Sequence, residues 1–470
     1  MTQIESVRLC KNPDYRNVRA VTRGGFCRTI KQRLFGVRMS EGSSQEEAMM
    51  AKKNDLVNRL AQRPFDPLGV GDPGKPAGFR LAVVLLALIV LASLVVQPAS
   101  AGGGGLDFYV AKTGHDTSTC LVDPCLTVAY AVTQAGSGNR IHIAAGTYAE
   151  NLTVNQNLTF YGAGMNATLL DGSGLASVIV ATSAPTVSIQ DLTIRNGNAT
   201  LGGGIAQYGG TLTLSRVKLT GNLAQSGGGI YSSGALSMTD CVVSANNASL
   251  DASSYGGGLY LTGEAVAVNL VNVTISGNTA TGNSGGIHNQ GTGTLNLTNV
   301  TISGNTAKQN GAMSSTNSAT LTILNSTIAN NHFSAGGANG GIGNYATTRF
   351  KNTILAGNDG MNCSNGTGGS LVSQGYNLDS GSSCTLTSTG DLQNTDPVLG
   401  PLADNGGPTQ THALLLASIL HARSPAIDAG TNSGCPATDQ RGVSRPQGAH
   451  CDMGAYEVRY YPIYLPLISR

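Results

Sequence analysis

The chain has 470 residues, 64 of them Gly, with 11% charged residues, 5% aromatic and no Trp. A Gly-rich, charge-poor chain that strings Asn, Thr and Ser between short apolar alternations is a repetitive β architecture and not a helical bundle. The formal charge of +2 is uneven: residues 1–80 hold 15 of the 28 Lys and Arg and 8 of the 26 Asp and Glu, so the remainder carries −5 and lacks the basic stripe of a nucleic-acid binder.

Residues 1–78 are basic, polar and aperiodic, and disorder is expected there. Met50-Ala51-Lys52-Lys53 reads as a more natural start than Met1. The uncharged run from Leu81 to Val96 is shorter than the ~20 apolar residues of a spanning helix. It follows Lys75 and Arg80 and ends in Ser100-Ala101 after Pro98-Ala99. Residues 79–101 therefore read as a secretory signal cleaved after Ala101, with an uncleaved signal-anchor as the alternative. Either reading puts the folded part outside the cytosol, secreted or at the cell surface.

From residue 106 to 390 one pattern repeats. An apolar anchor recurs at Ile194, Leu219, Val243, Ile275, Ile302, Ile328 and Leu355. One interval is longer than the others, and its excess, Ser249–Ser254, is where a loop would sit. Positions seven, five and two before each anchor are mostly apolar, as in Leu212, Leu214 and Val217, giving L-x-L-x-x-V-x-I. Period 2 on both sides of one extra residue means two short strands meeting at a corner. The corner residue is Asp191, Arg216, Asp240, Asn272, Asn299, Asn325 and Asn352, and Asn and Asp tolerate the left-handed backbone of a sharp turn. Three residues past the anchor, Gly197, Asn222, Asn246, Asn278, Asn305, Asn331 and Asn358 mark a second corner. Clusters such as Gly202-Gly203-Gly204-Ile205 and Gly227-Gly228-Gly229-Ile230 then feed a third strand. Three strands per ~25 residues describe one rung of a single-stranded right-handed parallel β-helix, stacked at ~4.8 Å, in which equivalent Asn residues form ladders. A β-sandwich is the structural alternative, but it needs no fixed period with corner Asn in register.

The Gly-Gly-Gly-Ile motifs alternating with Ile-Ser-Gly-Asn-Thr-Ala (Ile275–Ala280 and Ile302–Ala307) resemble polymorphic outer membrane protein repeats of the pectin lyase-like superfamily. Tyr109-Val110-Ala111, Pro124-Cys125-Leu126-Thr127 and Ala144-Ala145-Gly146-Thr147-Tyr148 resemble the N-terminal entry of such helices, which implies a short capping helix near Val128–Ala135 over the raw sheet end. Within residues 391–458, Asp404-Asn405-Gly406-Gly407-Pro408-Thr409, Ser424-Pro425-Ala426-Ile427-Asp428-Ala429-Gly430, Asp439-Gln440-Arg441-Gly442 and Asp452-Met453-Gly454-Ala455-Tyr456-Glu457 resemble a choice-of-anchor Q domain, which implies an exported protein. The apolar, proline-broken tail, residues 459–470, is too short to span a membrane. Membrane contact is expected only through the signal segment or this tail.

Cys120 and Cys125, Cys363 and Cys384, and Cys435 and Cys451 lie close in sequence and suit three local disulfides in an oxidising compartment. Cys241 is left over in the slot of Val217 and Val273, where a buried apolar-like thiol is expected. No His lies beside these cysteines at zinc-ligand spacing, and the seven His (115, 142, 288, 332, 412, 421 and 450) share no rung position. No metal or cofactor is expected.

Catalysis has one candidate set in the coil, Asp191, Arg216 and Asp240. Two rungs put the carboxylates ~9.6 Å apart, at the upper end for an inverting glycosidase, with Arg195 and Lys218 adding positive charge. The favoured reading is a surface charge ladder. Asp171 reads as a turn residue beside Gly172. Asp428, Asp439, Arg441, Asp452 and Glu457 form a denser charged set, read as a structural ion-pair network over a calcium or catalytic site. No aromatic row is evident for stacking sugars. The Asn-x-Thr triplets follow from composition and require no glycan. The expectation is a monomeric, exported, non-catalytic β-helix for adhesion, envelope structure or contact with a polysaccharide or surface protein. The alternative is a polysaccharide lyase or inverting glycosidase of the pectin lyase-like superfamily.

Overall fold

A computed structural model describes residues 105–459, apart from 252, 318, 335 and 338, together with 19–21 and 27–29. The chain divides into two compact units, Met1–Gln97 and Pro98–Arg470. In the first, Arg19–Val21 pairs antiparallel with Cys27–Thr29, inside the stretch expected to be disordered. The signal at 79–101 lies outside the described residues, as does the tail from 460 onward. Among the described residues no helix is long and apolar enough to cross a membrane.

The second unit is a parallel β-helix. Its strands stack on equivalents one rung away: Leu214 pairs with Ile189 and Met238, Leu219 with Ile194 and Val243, and Ile302 with Ile275 and Ile328. Crossovers between parallel strands of one sheet wind right-handed in nearly all proteins, which sets the hand of the coil. Each rung contributes to three sheets. The first bends at the corner residue, so that Thr211–Thr220 runs through it as one ten-residue strand. The second has six short strands, from Asn198–Leu201 to His332–Phe333; its column between the second corner and the Gly cluster was not anticipated. The third has nine, from Leu152–Val154 to Cys363–Asn365.

The first corner is left-handed throughout: φ is 58° at Asp191, 51° at Arg216, 55° at Asp240, 57° at Asn272, 53° at Asn299, 44° at Asn325 and 50° at Asn352. The second corner departs from expectation. Its left-handed residue is one earlier, at Asn196, Gly221, Ala245, Gly277, Gly304, Asn330 and Gly357. Asn222, Asn246, Asn278, Asn305, Asn331 and Asn358 instead turn their amides into the coil, each Nδ2 donating to the Oδ1 of the next at 2.8–3.0 Å. Each of those oxygens also accepts the backbone N–H of the preceding ladder Asn. The residue type is there to satisfy a buried turn, not to tolerate its dihedral.

Close packing forbids a side chain at several glycines. A Cβ on Gly228 would lie 2.5 Å from Gly257 O and 2.6 Å from Asn247 O. The N-terminal end of the core is covered by a helix, Val128–Gln134, with Val128, Ala131 and Val132 buried. Its first N–H groups are taken by Glu150 (2.9 and 2.6 Å) and by the Thr127 hydroxyl (3.2 Å), which leaves none of the three orphaned.

Residues 396–458 form a strap, opened by the antiparallel pair Leu399–Ala403 and Thr411–Leu414. It lies against the outer face of the first sheet beyond the corner. Asn299, Asn325 and Asn352 donate to the carbonyls of Thr438, Asp452 and Thr431 at 2.8, 3.3 and 3.0 Å. Outward-facing Thr274, Thr301 and Thr327 are thereby buried. Ile354 and Ala356 of the coil join Leu414, Ala426, Ile427, Met453 and Val458 of the strap in a second apolar cluster.

Candidate functional site

On the third sheet one outward slot passes through Ala206, Tyr231, Tyr260, His288, Ser314, Gly343 and Ser364 in successive rungs. Tyr208 extends the ring row at one end, 5.5 Å from Tyr231, and Tyr231 lies 5.7 Å from Tyr260. Tyr255 enters from the connection between the second and third sheets and packs on both Tyr260 (5.9 Å) and His288 (4.8 Å). The floor then drops, because the next slots hold Ser and Gly. Tyr345 rises beyond the drop, its ring against Gly366, where no Cβ would fit. The result is an open groove of about 810 Å³ between Tyr255, Tyr260 and His288 on one side and Tyr345 on the other. Three rung steps separate Tyr260 from the Tyr345 rung, ~14 Å along the coil axis.

Amides and hydroxyls line the remainder: Asn283, Gln290, Thr316, Asn317 and Thr367. Several are held in place. The Tyr260 hydroxyl donates to Gln290 Oε1 at 2.6 Å, and Asn317 Nδ2 donates to Gln290 O at 2.6 Å. His288 Nδ1 lies 2.8 Å from the Ser314 hydroxyl, itself 2.7 Å from that of Ser284. Burial pushes the His288 imidazole down to about 4, so it is neutral near pH 7. Rings paired with fixed amides suit a ligand with apolar faces and many hydroxyls.

Sequence reasoning had expected no such row, and the structure corrects it. The intervals from Tyr208 to Tyr231, Tyr260 and His288 are unequal because Tyr208 lies two residues past the slot held by Ala206 and because loop lengths differ. The signal was nonetheless present: Tyr231, Tyr260 and His288 each follow directly the apolar residue that ends a Gly cluster, Ile230, Leu259 and Ile287.

Asp191, Arg216 and Asp240 lie elsewhere, at the bend of the first sheet. Arg216 grips both oxygens of Asp191, Nε at 2.6 Å and Nη2 at 2.7 Å. Asp240 Oδ1 accepts Asn272 Nδ2 at 3.0 Å and continues into the Asn ladder. Just past this corner, Lys218, Asn166 and Ser244 face Asp404 and Gln410 of the strap across a cleft of about 350 Å³. Arg195 pairs with Asp171 at 2.8 Å, and Asp171 Oδ1 accepts the Ser173 N–H in an Asx turn.

Asp439, Arg441, Arg445, Asp452 and Glu457 of the strap form a buried network, whereas Asp428 pairs with Arg423 at 3.0 Å in a more exposed position. Arg441 holds Asp439 with Nε at 2.9 Å and Nη2 at 2.6 Å and stacks on Tyr456; Arg445 meets Glu457 at 3.1 Å. Asp452 accepts the N–H groups of Asp428 and Val458, while burial, with Glu457 close by, pushes it up to about 7. Among the described residues no three His, Cys, Asp or Glu side chains converge as a metal site. Cys120–Cys125, Cys363–Cys384 and Cys435–Cys451 are disulfide-bonded. Cys241 is reduced and fully buried, its thiol pushed up to about 12 by burial, which makes it a core residue and not a nucleophile.

The family described as a right handed beta helix region matches residues 132–307. Among solved structures, pectate lyase Pel9A is similar with a TM-score of 0.42 and 15% identity, over 75% of this chain and 96% of that one. The complex of XylC with xylose is similar with a TM-score of 0.39 and 10% identity, over 75% of this chain and 98% of that one. No curated protein matches the sequence.

Proposed function

We propose that this right-handed β-helix binds a polysaccharide in the groove between Tyr260 and Tyr345, as an exported protein acting at or beyond the cell surface. The observation that carries the reading is the facing of aromatic rings across a floor of fixed amides, on a sheet that the strap leaves open. Export rests on the segment at 79–101, and attachment on the resemblance of the strap to a choice-of-anchor Q domain. Titration calorimetry of the purified protein against a panel of soluble polysaccharides tests it. Tyr260→Ala is expected to weaken binding at least ~10-fold, equivalent to ~1.4 kcal/mol. Equal binding by wild type and by Tyr260→Ala and Tyr345→Ala variants would remove the groove from the account.

A second reading, cleavage of the polysaccharide, has its own observation: the cleft beside the Arg216–Asp240 corner brings Lys218 and Asp404 to one face. A lyase or inverting glycosidase there would release unsaturated or reducing ends, lost in Asp404→Asn and Lys218→Met. A panel that yields neither product from the wild type counts against it.

A further inference from the structure

Resting on the glycan-binding reading, we infer that the groove selects neutral polysaccharides laid parallel to the coil axis and rejects uronate-rich ones. The ring row sets the direction, because Tyr231, Tyr260 and His288 occupy one slot in successive rungs and Tyr345 lies farther along the same axis. The chemistry of the lining sets the class. Among the described residues, none that lines the groove is Asp, Glu, Lys or Arg.

A uronate carboxylate laid against the rings of an open groove sheds part of its water and gains affinity there only from a cationic partner or a bridging metal. The described lining residues offer neither an ammonium or guanidinium group nor carboxylates to hold calcium. His288 does not substitute, since its Nδ1 is bonded to Ser314 and the ring is buried. Its low pKa keeps it uncharged across the neutral range. Sugar hydroxyls, by contrast, both donate and accept, as do the side chains of Asn283, Gln290 and Asn317, and the C–H faces of a neutral pyranose fit against Tyr rings.

The test is calorimetric titration of the full chain with xylan, glucomannan and polygalacturonate at ~50 and ~500 mM salt, the last also with added calcium. At least one neutral polymer is expected to bind, with less than ~2-fold change between the salts, and polygalacturonate at least ~10-fold more weakly. Thr316→Lys, which puts a cation on the floor, is expected to confer salt-sensitive polygalacturonate binding. If polygalacturonate binds the wild type as tightly as the neutral polymers do, the selectivity is refuted and the glycan site stands. If none of the three binds, both fall. Tyr345→Ala, at an exposed ring, reports on the groove should Tyr260→Ala fail to fold.

Discussion

Asn305 spends its amide wholly inside the coil: Nδ2 donates to Asn331 Oδ1 at 2.9 Å and to Ile275 O at 2.9 Å, while Oδ1 accepts both the backbone N–H and Nδ2 of Asn278. Truncation leaves these partners buried and unpaired, at about 1–3 kcal/mol for each group left unsatisfied. Asn305→Ala is therefore expected to lower unfolding free energy by about 3 kcal/mol in urea titrations, and Asn305→Asp to do no better. His288 sets a pH dependence. The unfolded chain takes a proton near the ordinary value of 6.5 and the folded one only near 4. The stability it contributes is whole above pH 6.5 and is lost as pH falls toward 4, about 3 kcal/mol in total. Thermal melts of wild type and His288→Asn should converge as pH falls through this window. Of these two residues, Asn305 was readable from its spacing, though its inward direction was not. His288 was readable as an outward neighbour of Tyr260 only from its place after Ile287, because Tyr255, which stacks on it, comes from a connection outside the repeat.

The strap explains a change along the first corner that the sequence shows without its reason. Where the strap covers the corner, the residues are Asn299, Asn325 and Asn352, whose amides serve its carbonyls. Where no such contact is made, they are Asp191 and Arg216, paired in solvent. Burying a charge under the strap would cost more than its pairing returns, so the type of corner residue follows its cover. Gln440 is a central tie: Nε2 donates to Thr274 and Thr409 at 2.9 Å, and Oε1 accepts from Thr301 at 2.7 Å. Gln440→Ala is expected to speed hydrogen exchange at residues 409–412 and 438–443 while the first sheet of the coil stays protected. Arg216→Ala, at an exposed pair, should cost less than ~1 kcal/mol. The expected charge network of Asp428, Asp439, Arg441, Asp452 and Glu457 lacked Arg445, which meets Glu457, and the docking of the strap was hidden because the Thr residues that receive it look like ordinary outward strand positions.

Across the whole molecule, stability is the sum of rungs and of the contacts between neighbours. Gly228 sits mid-coil with no room for a Cβ, so Gly228→Ala should separate denaturant unfolding into two transitions, one for each flank, where the wild type shows one. A single transition of unchanged midpoint would contradict it. The fold was legible because a fixed register repeats the same demands every two dozen residues. The groove was not, because it arises where the repeat fails, at Ser314 and Gly343.

The interior Asn ladder also has a direction. Every amide in it turns its oxygen back to the preceding rung and gives one Nδ2 hydrogen to the next Asn, the other going to a carbonyl of the preceding rung, so the oxygen-to-nitrogen dipoles add head to tail, as peptide units do in an α-helix. The row starts on the Gly197 N–H and runs through Asn358 and Asn362 to Oδ1 of Asp379, at 2.6 Å. A carboxyl group thus stands where the positive pole of the row emerges. The coil carries an electrostatic axis that ends on its own counter-charge.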